Sequence, residues 1–88
     1  MNIRQPRYNK DEHARRGTEM YERLIRPQVE TTHGGKIVAI DIDTGEFEVG
    51  NESLTAAERL LARLPNAQIW CVRIGQPAVH RFGAAATP

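Results

Sequence analysis

A single cysteine, Cys71, occurs in the chain, so no internal disulfide can form, and the staple that many small extracellular domains rely on is excluded. That usage fits a reducing compartment. Long hydrophobic runs are also missing. Apolar stretches such as residues 37–40 are only a few residues long, whereas a bilayer-crossing helix needs roughly 20. The opening residues Met1-Asn2-Ile3-Arg4-Gln5-Pro6 contain nothing that could serve as a secretory signal. A cytoplasmic protein with no membrane partner is therefore expected. Aromatic residues make up 6% of the chain and form no stacking platform of the kind single-strand nucleic-acid binders use; Trp70, flanked by apolar residues, reads as core.

The 88 residues allow one domain, and a chain this short buries only about 60–65% of the surface its unfolded form exposes. Hydrophobic residues at 40% and charged residues at 26% give a globular balance. The net charge of +1 hides a segregation. Seven basic and four acidic side chains fall in residues 1–26, Lys36 alone opposes seven acids in residues 27–58, and the remainder carries four arginines and no acid. An acidic middle lies between two basic ends.

Residues 1–8 have no apolar period and read as a flexible basic arm. A helix is predicted over 9–26. Asn9 serves as N-cap with Glu12 in capping-box register, and Pro27 stops the helix at about Arg26. At 100° per residue Ala14, Gly17, Met20, Tyr21, Leu24 and Ile25 fall on one side. On the other side Asp11, Glu12, Glu19 and Glu22 each precede an arginine by four residues, and each such pair contributes about 0.2–0.5 kcal/mol. Gly17 opposes the helix by ~1 kcal/mol, so docking on a surface is expected.

Residues 36–42 are β-branched and apolar on both faces, the pattern of a central strand. Asp43-Thr44-Gly45 predicts a tight hairpin into a second strand, 46–49. A second helix follows over 54–64, with Thr55 and Glu58 in capping register and Ala57, Leu60, Leu61 and Leu64 as its apolar stripe. Strands are predicted at 68–74 and 79–82, and the tail 84–88 reads as flexible. The fold class is α+β: an N-terminal helix, then a β-β-α-β-β unit whose four-stranded antiparallel sheet has the order 2-1-3-4, in one domain spanning 9–83. The Leu60 helix covers one sheet face. The other needs the N-terminal helix, a second copy or another protein.

Residues 21–29, 35–42 and 68–75, reading YERLIRPQV, GKIVAIDI and QIWCVRIG, resemble a group of short, uncharacterised bacterial proteins. Some of that group are similar to small domains of unknown function found near toxin–antitoxin-like genes. The likeness covers roughly residues 12–83. It implies a bacterial cytoplasmic origin and this order of strands and helices, and it transfers no catalytic residue.

Several constellations carry a trace of chemistry. Asp43-Thr44-Gly45 after Ile42 resembles the active-site loop of retroviral-type aspartic proteases, where two aspartates share a proton. Glu46 stands where a small residue is required and no glycine-rich flap follows, so turn chemistry alone accounts for these residues. Read as a calcium loop, with Asp41, Asp43 and Glu52 as ligands, the stretch has Glu46 at the position that demands glycine. Cys71 and His80 fall on strands expected to pair, yet diagonally and without a third group to orient the imidazole. His13, His33 and His80 have no metal-ligand spacing. Gly34-Gly35-Lys36 lacks the remaining residues of a phosphate loop.

No cofactor, metal or small-molecule substrate is therefore expected, and the chain reads as a non-enzyme. The expected role is a protein-interaction module, antitoxin-like or an accessory subunit, binding a protein partner or forming a homodimer through Met20, Tyr21, Leu24 and Ile25. The alternative is a nucleic-acid-associated regulator using Arg4, Arg7 and Lys10, with weak affinity because the helical acids neutralise the other arginines.

Overall fold

A computed structural model describes residues 8–75. Arg4, Arg7, the strand expected at 79–82, His80 and the tail from 84 lie outside the described residues.

The chain enters its first helix as expected. The Asn9 side chain accepts the Glu12 N–H at 2.8 Å, satisfying one of the donors a helix start leaves open. Helix α1 spans Lys10–Met20. Pro27 does not end the helical run, contrary to the sequence reading. A π-helical turn, Tyr21–Ile25, leads into helix α2, Arg26–Val29, with the proline inside it. In a regular helix the proline ring meets the carbonyl four residues earlier. Here the Arg26 N–H reaches back five residues to Tyr21 O, and the wider turn accommodates the ring. Gln28 Nε2 donates to Leu24 O at 2.7 Å, a side-chain bond added across the same turn.

Strand β1, Ile37–Asp41, is buried along its whole length. It pairs antiparallel with β2, Phe47–Gly50, and on its other side with β3, Ile69–Arg73, giving the order β2-β1-β3. The registers set Ala39 opposite Glu48 on one side and Cys71 on the other. The hairpin between β1 and β2 turns at Gly45, with φ at 86°. Helix α3, Ser53–Arg63, links β2 to β3. It starts one residue earlier than expected, and Glu52 at its N-cap makes no side-chain capping bond. Thr55 therefore lies inside the first turn, and the Thr55–Glu58 box does not form the cap.

Each sheet face has its own core. On one, α3 buries Ala56 and Leu60 against Ile37, Ala39 and Ala67. On the other, Tyr21, Ile25 and Val29 pack on Val38, Ile40 and Ile74. The face left open by the sequence is covered by the chain's own N-terminal helical run. The 30–35 connector is tied down: Gly35 N–H donates to Ile74 O at 2.9 Å, Ile74 N–H to Lys36 O at 2.8 Å, and Arg73 Nη1 to Gly35 O at 2.8 Å.

Gly17 lets α1 sit this close. A Cβ there would fall 2.2 Å from Trp70 Cδ2, so the indole occupies the place of a side chain. No helix among the described residues is long and apolar enough to cross a membrane.

Candidate functional site

The Asp-Thr-Gly turn is built around Asp41, the residue that ends β1. Its carboxylate, in a side chain 4% exposed, accepts the Gln68 N–H at 2.9 Å, the Thr44 hydroxyl at 2.9 Å and the Asp43 N–H at 3.2 Å. Those bonds tie the hairpin to the start of β3 and occupy the carboxylate with structural donors. Asp43 is exposed and accepts the Tyr8 hydroxyl at 2.8 Å. Among the described residues no group of three or more His, Cys, Asp or Glu could hold a metal ion.

Cys71 is half-buried on the α3 side of the sheet, beside Ile69 and the Ala39 cluster. Burial pushes its thiol above the ordinary value of 9.0, the opposite of an activated nucleophile. His13 Nε2 lies 2.9 Å from Ile69 O. A carbonyl can only accept, so Nε2 carries the proton in this contact. His33 Nδ1 meets Thr32 Oγ1 instead. The two described histidines serve separate local contacts.

The four residues expected to contact a partner separate into two pairs. Tyr21 and Ile25 are 0% and 1% exposed, inside the chain's own core. Leu24 is 57% exposed, and Met20 is half-buried, packing against that core and lining the surface beside Leu24. The reason lies in the buried series Gly17, Tyr21, Ile25, Val29, whose members are four residues apart. In a regular helix that spacing drifts by about 40° per step. The π turn winds more residues into one turn and cancels the drift, keeping Ile25 and Val29 inward and rotating Leu24 outward.

Met20 and Leu24 lie with Arg16, Glu19 and Arg23 around a shallow depression of about 380 Å³. Sequence reasoning missed the two arginines here, because it assigned them to ion pairs. Of the four expected pairs on this helix, only Glu22 with Arg26 forms among the described residues, and Arg26 also binds Glu30 at 3.1 Å. Arg16 stacks 4.3 Å over the Tyr8 ring. Exposed ion pairs are weak enough for such a contact to compete with them. Of the residues assigned to nucleic acid, only Lys10 is described, exposed in the first turn of α1.

No family model, curated protein or solved structure matches this chain.

Proposed function

We propose that the protein is a non-enzymatic, cytoplasmic interaction module of bacterial type that pairs with a second copy of itself through the outer side of α1 and the π turn. The observation carrying this reading is Leu24, 57% exposed, beside half-buried Met20 and flanked by Arg16 and Arg23. Methionine and arginine are enriched at protein interfaces, and arginine is among the residues that dominate contact energies. Glu19 lies among the same residues, so a twofold contact can set the acid of one copy against an arginine of the other. A specific contact buries about 800 Å² per partner, which extends past Leu24 onto neighbouring residues of the same helix. Tyr21 and Ile25 act by holding the helix in place. An antitoxin-like or accessory role is compatible with such a module. The buried, fully engaged Asp41 and the raised Cys71 thiol favour a non-enzyme.

One observation favours the nucleic-acid reading. Lys10, Arg15 and Arg23 have no ion-pair partner among the described residues, although acids are their neighbours in sequence. In that reading the arm residues Arg4 and Arg7 join Lys10, and a log-log salt slope of about −3 is expected.

Sedimentation equilibrium of the wild type beside Leu24→Asp tests the proposal. Wild type is expected to sediment as a dimer, and the variant as a folded monomer with an unchanged far-UV spectrum. A wild-type monomer at high micromolar concentration contradicts the dimer. Sub-micromolar, sequence-selective nucleic-acid binding at physiological salt would transfer the assignment to the second reading.

A further inference from the structure

Strand β2 is an edge of the sheet as described, and its hydrogen-bonding phase is fixed by one contact. Asp41 N–H donates to Glu46 O at 2.9 Å, which makes those residues a hydrogen-bonded pair. By the alternation of an antiparallel ladder, Glu48 and Gly50 turn their backbone groups toward β1, and Phe47 and Val49 turn theirs outward. Both outward carbonyls are occupied by side chains of α3. Arg59 Nη1 donates to Val49 O at 2.7 Å, and Arg63 Nη2 to Phe47 O at 3.2 Å. The Arg63 fork is itself anchored, with Nε on Glu48 at 2.7 Å and Nη1 on Glu46 at 3.0 Å. The outward N–H groups of Phe47 and Val49 have no acceptor among the described residues and face an open groove of about 690 Å³ along the edge.

Strand addition needs alternating donors and acceptors from the edge it joins. An edge whose acceptors are taken offers half of that pattern, and charged side chains are a known way of blunting such an edge. We propose that Arg59 and Arg63 lock the β2 edge, and that the strand they exclude is β2 of a second copy. The edge is self-complementary about Glu48. A twofold there sets Phe47 of one copy opposite Val49 of the other, so each outward N–H finds an outward carbonyl, provided the arginines leave. The same twofold sets Glu48 against its own counterpart, a like-charge opposition that disfavours pairing. Arg63 screens that charge in the single chain, so removing it opens the lock and exposes the repulsion together. This surface is distinct from the Met20–Leu24 patch.

The test uses the full chain carrying Leu24→Asp, so that the helical patch contributes nothing. Into it are placed Arg59→Ala with Arg63→Ala, and then Glu48→Thr in addition. Sedimentation is expected to show weak, concentration-dependent association for the first variant and a mass twice that of the parent for the second. Amide exchange at Phe47 and Val49 should slow by roughly tenfold or more on association. Placing lysine instead of alanine at 59 and 63 should return the monomer. If the variants lacking Arg63 do not fold, Arg59→Ala with Glu48→Thr keeps part of the Arg63 anchor. Protection at Phe47 that rises with concentration is then expected. Folded variants with the parent's mass and unprotected Phe47 and Val49 amides at high micromolar concentration overturn the lock.

Discussion

On the face covered by α1, a strand side chain enters the helix: Trp70 fills the notch at Gly17, where a Cβ would lie 2.2 Å from the indole. On the other face the helix backbone approaches the strand. A Cβ at Gly50 would lie 2.8 Å from Ala56 N, and Ala56 and Leu60 are the buried side chains of α3. The first layer is fitted by shape around large residues, Tyr21 and Trp70 among them. The second is fitted by small residues and fastened by Arg59 and Arg63 to the sheet edge. Their outer surfaces differ accordingly. The α1 layer presents Leu24 with Met20 and two arginines, whereas α3 presents Leu54, 67% exposed, as a single surface leucine of the kind that needs no explanation. An apolar surface patch accompanies the layer that is keyed by shape.

The deepest overlap should give the largest effect. Gly17→Ala is expected to cost ~3 kcal/mol or more in urea unfolding, despite a gain of about 1 kcal/mol in helix propensity. The penalty should largely vanish in a Trp70→Leu background, because the two sites share one notch. A cost that persists there would detach the layer from its key.

Asp41→Ala belongs to neither layer and sharpens the comparison from outside. It leaves the Gln68 N–H and the Thr44 hydroxyl without their acceptor, for about 2–3 kcal/mol. A larger loss than that of Gly17→Ala would make the turn, and not the layer packing, the keystone. Gly50→Ala follows at about 2 kcal/mol, because the shallower overlap needs only a displacement of α3. If it exceeded Gly17→Ala, the assignment of the tighter fit to the α1 layer would reverse.

The smallest effect concerns pH on the α3 face. Burial raises the Cys71 thiol above 9.0, so its contribution to stability is fully present below the unfolded value. It is lost as pH rises through the folded one. Alkaline unfolding curves should show that loss above about pH 9 in wild type and not in Cys71→Ala. Coincident curves would mean that the thiol is not desolvated.

Much of the fold is legible in the residues themselves. The apolar run on both faces of β1, the Asp-Thr-Gly reversal and the Leu60 stripe each report a local period or turn requirement. The crossover through α3 then orders the strands 2-1-3 as observed. What local rules miss is the helical run across Pro27. The proline rule assumes regular winding, and the π turn that evades it is stabilised by burial of Tyr21, Ile25 and Val29 against a distant sheet. The four-residue spacing from Gly17 to Val29 is the signal in the sequence, since it suits a wider turn better than a regular helix. The same winding decides the candidate site, because it separates exposed Leu24 from buried Tyr21 and Ile25. The Arg16 contact with Tyr8 was hidden for another reason: spacing alone favours Glu12 as its partner, and only the folded chain brings the ring within reach.

Docking of a second copy on the outer side of α1, and not on the sheet, is the proposal on which the rest depends. Amide spectra of ¹⁵N-labelled protein, recorded from low to high micromolar concentration, test it most directly. Concentration-dependent shifts are expected at Arg16, Glu19, Met20, Arg23 and Leu24, with those at β2 and α3 unmoved and the whole effect absent in Leu24→Asp. A spectrum independent of concentration, or shifts centred on Phe47–Gly50 in the wild type, would contradict it.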